Sequence, residues 1–259
     1  MNSTPARPEL SLSIPCYNEE NCLEATARDL LRAFTERGIA LELVLVDNGS
    51  TDGTGCVIDA LAAAGLPVRK VRVDVNQGYG HGVLEGLKAC RAPLVGFTCA
   101  DGQVAADDIA RLYQAMHAAG PPLLAKVRRR FRKDGLLRRI QSVGYNTVML
   151  LLFGPMGLDV NGNPKLFPRE ACDRMRLRSL DWFLDPEVMI KARWMGLRIL
   201  ELDVDGVHRQ GGKSHVRWHT CLEFTRNILR YRYGAREREL RAALAGTYLG
   251  PETTGGERL

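Results

Sequence analysis

Apolar residues recur along the first half of the chain in two alternating rhythms. Short apolar runs at 10–14, 41–46, 68–75 and 94–98 read as buried strands. Helical spacing covers 20–37, 52–64, 80–90 and 107–119. The first of these puts Leu23, Ala27, Leu30, Leu31 and Phe34 on one face and stops at Gly38. Strands interleaved with helices predict an α/β architecture, a Rossmann-like, mostly parallel sheet flanked by helices on both faces. Ligands then bind at the carboxyl ends of the strands. After Gly120 the regularity breaks. A strand near 123–127, a helix over about 135–153, a helix at 186–195, a strand at 198–204 and a helix at 216–233 are expected. The tail from Gly246 reads as loose.

Composition narrows the class. Of 259 residues, 45% are hydrophobic and 25% charged, which is ordinary globular usage and excludes a collagen, a coiled coil or a disordered chain. The longest apolar run, 148–153, has six residues, whereas a spanning helix needs about 20. Neither a membrane span nor a signal peptide is expected. Seven scattered cysteines without a C-x-x-C pair fit reduced thiols and a cytoplasmic setting. The net charge of +6 is unevenly distributed. Residues 1–125 carry −5, 126–139 carry +7 and 213–240 carry +4. Basic runs after an acidic half read as a solvated face or as a grip on phosphate. Only Phe131 interleaves with the first run, which argues against nucleic acid.

The chemistry sits at the strand ends. The first strand runs into Pro15-Cys16-Tyr17-Asn18-Glu19-Glu20 and the second into Asp47-Asn48-Gly49-Ser50-Thr51-Asp52. The third ends at Asn76-Gln77-Gly78-Tyr79-Gly80, the fourth at Cys99-Ala100-Asp101-Gly102-Gln103. A dinucleotide fold needs glycines directly after its first strand, and here that place holds Pro15, Tyr17 and Glu19. No phosphate-binding P-loop is present either. A nucleotide-sugar site needs a flat surface for the base and acceptors for its N–H and for ribose hydroxyls. Tyr17 and Pro15 can supply the first, Asp47 and Glu19 the second. Hard oxygen ligands such as Asp101 and Gln103 suit Mg²⁺ or Mn²⁺, which would turn an acidic rim into a seat for diphosphate.

These segments, taken in order with 161–167, Asp185-Pro186-Glu187 and 209–214, resemble the inverting GT-A glycosyltransferases of family 2. Within them the chain is most similar to the dolichyl-phosphate mannose synthase-like, or polyprenyl-phosphate glycosyltransferase, group. The resemblance runs from about residue 10 to 217. It implies a GT-A domain over 8–215, with 8–120 taking the nucleotide sugar and 121–215 the acceptor. A basic amphipathic helix over 216–240 and a flexible tail over 241–259 would follow. It implies that Pro15, Tyr17, Asn18, Glu19, Asp47, Asn76 and Gly78 hold the donor, with Asp101 and Gln103 on its metal. Arg128, Arg139, Lys213 and Ser214 would grip phosphate, and Asp185 and Glu187 would line the sugar and acceptor side. The family usually carries a carboxylate two residues before Asp101. Here that position is Cys99, a soft ligand poorly suited to Mg²⁺.

The implied reaction is a single displacement with inversion, the hexose being mannose from GDP-mannose, or a sugar from a UDP-sugar. A lipid monophosphate has a second pKa near 6, so it is already ionised at neutral pH and needs no strong base. A hydroxyl acceptor would need one, and Asp185 is the candidate. The apolar stretch 145–153 reads equally as core or as an acceptor platform facing the membrane. The basic, aromatic helix at 216–233 could lie on an anionic membrane surface or pack on the sheet. The expected partners are a nucleotide sugar and a polyprenyl phosphate, with the protein peripheral at the inner face of the membrane. Two other readings stay open: a relative acting on a small soluble hydroxyl acceptor, and a non-catalytic nucleotide-sugar-binding relative.

Overall fold

The computed structural model describes residues 7–120, 123–129, 136–205 and 218–245, without the side chains of 136–142, 218–223 and 225. The Arg139 side chain, Lys213, Ser214, the basic stretch 130–135 and the tail 246–259 lie outside the described residues.

The first half forms β1 (Leu10–Cys16), α1 (Leu23–Thr35), β2 (Leu41–Asn48), α2 (Thr54–Ala63) and β3 (Val68–Val73). It continues through α3 (Tyr79–Ala89), β4 (Leu94–Phe97) and α4 (Ala106–Ala119). Then come β5 (Leu123–Arg129), α5 (Leu136–Phe153), β6 (Lys165–Pro168), α6 (Arg169–Met175) and α7 (Leu184–Met195). The last elements are β7 (Arg198–Val204), α8 (Trp218–Tyr233) and α9 (Ala235–Leu244). Seven strands make one sheet in the order β3-β2-β1-β4-β6-β5-β7. β1 runs parallel to β2 and β4, β2 to β3, and β5 to β7. Only β6 is antiparallel, to both of its neighbours.

Successive strand residues point to opposite faces, so each strand feeds two cores. Leu43 and Leu45 of β2 join β1, α1, α2 and α4 on one side. Val44 joins α3, α6 and α7 on the other. α7 is buried nearly all round, as a helix must be when it runs through a core. α3 lies unusually close to β1, because a Cβ on Gly86 would meet Ser13 Oγ at 2.0 Å.

The strand pattern of the first half holds. Three elements escape the sequence pattern. β6 has four residues, of which one is a fully buried lysine and one a proline, so it shows no alternation. α6 is only seven residues long. α9 follows a break at Gly234 and continues to Leu244, beyond the point where a flexible tail was expected to begin. α8 and α9 send Ile228, Tyr231 and Leu244 into the second core. α5 buries Met149 but leaves Val143, Val148, Leu150 and Leu151 exposed.

Candidate active site

The parallel register brings Cys16 of β1 opposite Asp47 of β2, so both strands end together. The loops after them are tied crosswise. Asn18, in a left-handed conformation at φ 57°, accepts from the Thr51 backbone N–H at 2.8 Å, and its own N–H donates to Ser50 Oγ at 3.3 Å. The Glu19 N–H donates to Thr54 Oγ1 at 2.9 Å, and Asp47 Oδ1 accepts from the Ser50 N–H at 3.1 Å. Tyr17 is left with a half-exposed ring.

The next loop is fixed by close backbone approach. Asn48 Nδ2 donates to Gly78 O at 3.1 Å, and Asn76 Oδ1 accepts from the Gly78 N–H at 2.8 Å. Gly78 has φ 115°, and a Cβ there would meet Leu180 O at 2.4 Å. Asn76 and Gly78 thus shape the loop, whatever else they contact.

Two of the three carboxylates share a neighbour. Glu19 and Asp47 both bear on the Cys16 thiol, whose pKa is raised by burial and then by these two charges. Cys22 Sγ donates to Glu19 Oε2 at 3.0 Å and also lies 3.6 Å from Ala100 O, next to Asp101. Asp101 is 6% exposed, and its Oδ1 accepts from the Gln103 N–H at 3.3 Å. One thiol therefore separates the Glu19 carboxylate from the Ala100 carbonyl.

A cleft of about 240 Å³ opens beside Asp101, lined by Cys99, Asp101, Gln103, Arg129 and Asn163 among others, but not by Glu19, Asp47 or Tyr17. The Cys99 thiol is pushed up to about 12 by burial and by the Asp101 and Asp185 charges, so it stays protonated at neutral pH. Asn163 Nδ2 lies 3.2 Å from the Tyr79 hydroxyl and 3.4 Å from Asp185 Oδ2. Asp185 Oδ1 is bound by Lys165 Nζ, which is itself fully buried. Burial raises the Asp185 pKa and lowers that of Lys165, while each partner opposes the other's shift.

Two of the expected residues have structural partners of their own. Arg128 is engaged by Asp203, its register partner on β7, at 2.6 Å, and does not line the cleft. Its neighbour Arg129 does, held by Asp159 at 3.2 Å and Asn161 O at 3.3 Å. Glu187 is fully buried and accepts from the backbone N–H groups of Arg178 and Ser179 and from Lys191. It ties down the 178–181 turn, whose Leu180 carbonyl lies against Gly78. Sequence reasoning also passed over Lys165, Tyr79 and Trp182. The last stacks on Tyr79 at 4.5 Å with its ring 37% exposed. A lysine inside an otherwise apolar segment was the available signal for the first.

An open α/β sheet with acidic loops gathered at its carboxyl edge defines a transferase-type GT-A architecture. Solved structures carry the same fold. Glucosyl-3-phosphoglycerate synthase from Mycobacterium tuberculosis, in complex with Mn²⁺, UDP and phosphoglyceric acid, matches with a TM-score of 0.64 at 20% identity, over 88% of this chain and 79% of that one. The family model for glycosyl transferase family 2 matches residues 11–182, and the chain belongs to that family. A dolichyl-phosphate beta-glucosyltransferase of Trichomonas vaginalis is 30% identical over 82% of this chain and 70% of its own length. An undecaprenyl-phosphate 4-deoxy-4-formamido-L-arabinose transferase of Pseudomonas fluorescens is 33% identical over 79% and 59%. The protein is therefore a glycosyltransferase.

Proposed function

We propose that this chain moves a hexose, with inversion, from a nucleoside-diphosphate sugar to the phosphate of a polyprenyl carrier. The carrying observation is the state of Asp185. It is 4% exposed, one oxygen is held by Lys165 and the other lies against Asn163. A carboxylate so enclosed is badly placed to take a proton from an acceptor hydroxyl. An acceptor that arrives already ionised needs no such base. The two relatives named above, which act on dolichyl and undecaprenyl phosphates by their names, support the same acceptor.

In this reading Tyr17 and Pro15 offer a surface to the base, and Asp47 and Glu19 accept from the nucleoside. A phosphate oxygen of the acceptor attacks the anomeric carbon, and the nucleoside diphosphate leaves with the bonding electrons. Arg129, in the cleft wall, bears on the developing charge. A divalent ion, when bound, supplies positive charge to the diphosphate. The donor set fits such an ion only in part. Among the described residues no three carboxylates, thiols or imidazoles gather as a metal cage, and the Cys99 thiol is a soft ligand poorly suited to Mg²⁺. Mg²⁺ or Mn²⁺ commonly takes one or two carboxylates and completes its shell with phosphates and water. Asp101 with Gln103 matches that pattern, so the ion would be held jointly with the donor.

GDP-mannose is the donor that the family resemblance suggested, whereas the T. vaginalis relative is named as a glucosyltransferase. The deciding experiment offers radiolabelled GDP-mannose and UDP-glucose with dolichyl or undecaprenyl phosphate, followed by organic extraction. Label entering the organic phase is expected. Nucleoside diphosphate released only with soluble hydroxyl acceptors, or with none, would overturn the reading. No described helix is long and apolar enough to cross a membrane. The exposed apolar residues of α5 support peripheral attachment to a membrane surface, which in this reading is the anionic, cytoplasmic inner face.

A further inference from the structure

A second cavity, of about 610 Å³, shares no lining residue with the cleft. Phe153 at the end of α5, Arg193 and Trp194 in the last turn of α7, Tyr231 of α8, and Arg238 and Arg241 of α9 form its walls. The sequence explains its charge. On α9, Arg238 and Arg241 stand three residues apart and so share a face, while Glu237 and Leu244 are buried. Glu237, the carboxylate in the wall, is already paired with Arg178 and with Arg230. Arg193 donates to Pro155 O at 3.2 Å, and Arg232 lies over the Tyr233 ring. None of Arg193, Arg232, Arg238 and Arg241 meets a carboxylate among the described residues.

Four guanidinium groups around one opening repel one another, and a bound anion relieves that repulsion. Their planar forks suit phosphate oxygens better than a point charge would. The remaining wall is apolar and aromatic, with Trp194 and Tyr231 stacked at 6.3 Å. It continues into Leu152 and so toward the exposed Leu150 and Leu151 of α5. We propose that this cavity binds an organic phosphate, its phosphate on the arginines and its apolar body along Phe153, Trp194 and Tyr231. The site is distinct from the transfer site. Asp185 and Trp194 lie nine residues apart on α7, about 13 Å along its axis. The same chemistry is offered by a lipid phosphate headgroup and by free phosphate.

Isothermal titration of the full chain at low salt tests this, with dihexanoyl phosphatidic acid as the lipid probe and inorganic phosphate as the free one. Saturable binding of the lipid probe is expected, weakened at least tenfold in Arg238→Ala/Arg241→Ala and by added salt, and unchanged in Arg129→Ala. Inorganic phosphate binding at least tenfold more weakly assigns the site to lipid phosphate. Equal binding that the same double variant removes assigns it to free phosphate. No saturable binding to the unmodified chain would overturn the proposal, as would equal affinity in a double variant of unchanged circular dichroism.

Discussion

Single residues decide which charges face the cleft. Arg128 and Arg129 are adjacent on one strand, yet only Arg129 reaches the cleft, because neighbouring strand residues point to opposite faces. Arg129→Ala is expected to lower turnover by about a hundredfold or more. Arg128→Ala should leave it within about threefold, since that side chain serves a partly exposed ion pair of small worth. Steady-state rates with one donor and acceptor pair check both. Asp101→Ala should abolish the metal dependence of nucleotide-sugar binding, and titration with and without Mn²⁺ reads this directly. The Lys165–Asp185 pair behaves differently. Lys165→Met strands a buried carboxylate, so urea unfolding should show a loss of about 3–5 kcal/mol. Adding Asp185→Leu should recover much of that stability but not turnover. A double variant as unstable as the single one would contradict the pairing.

At the scale of elements, α5 carries the sharpest contradiction between composition and burial. Its apolar stretch reads equally as core or as a platform facing the membrane, and Leu150 is 51% and Leu151 78% exposed. Leu150→Glu/Leu151→Glu should leave the folding midpoint within about 0.5 kcal/mol, as surface changes do. It should also cut recovery with anionic vesicles in flotation. Vesicle recovery unchanged by the substitution would detach α5 from any membrane role. Loop packing is equally an element property. Gly78→Ala would drive a methyl group into the Leu180 carbonyl at a backbone angle that favours glycine. The turn over 178–181 and the donor loop should then separate, seen as a raised KM for the donor with a smaller change in kcat.

The whole molecule answers to pH through groups far from the cleft. Burial alone would raise the Glu42 carboxyl, but the Ser11 hydroxyl and Arg69 reverse that and hold it low. Lys191 does the same for buried Glu187. A lowered folded pKa means stability present above the unfolded value, near 4.5, and lost as pH falls through the folded one. Burial pushes the Cys90 and Cys172 thiols from 9.0 up to about 12. Their contribution is complete below pH 9 and declines as pH rises toward 12. Urea midpoints should therefore be flat near neutrality and fall on both sides. Replacing Cys90 by Ala should flatten the alkaline limb, and an unchanged limb would remove that assignment.

Local pattern was enough for the first half of this chain. Period-two and period-3.6 rhythms depend on neighbours a few residues apart, so β1 to β4 and α1 to α4 were legible, as were the turn-forming loops that carry Tyr17, Glu19, Asp47 and Asp101. β6 was not, because a buried lysine enters a sheet only when a distant carboxylate, here Asp185, neutralises it. Nor was the place of Arg129 in the cleft wall, or the hydrogen bonding of buried Glu187, since both turn on which groups other elements bring alongside. Sequence spacing set the chemistry available at each strand end. Long-range packing chose which side chains face the cleft and which are consumed in holding it open, because that choice depends on contacts between residues 20 to 80 positions apart.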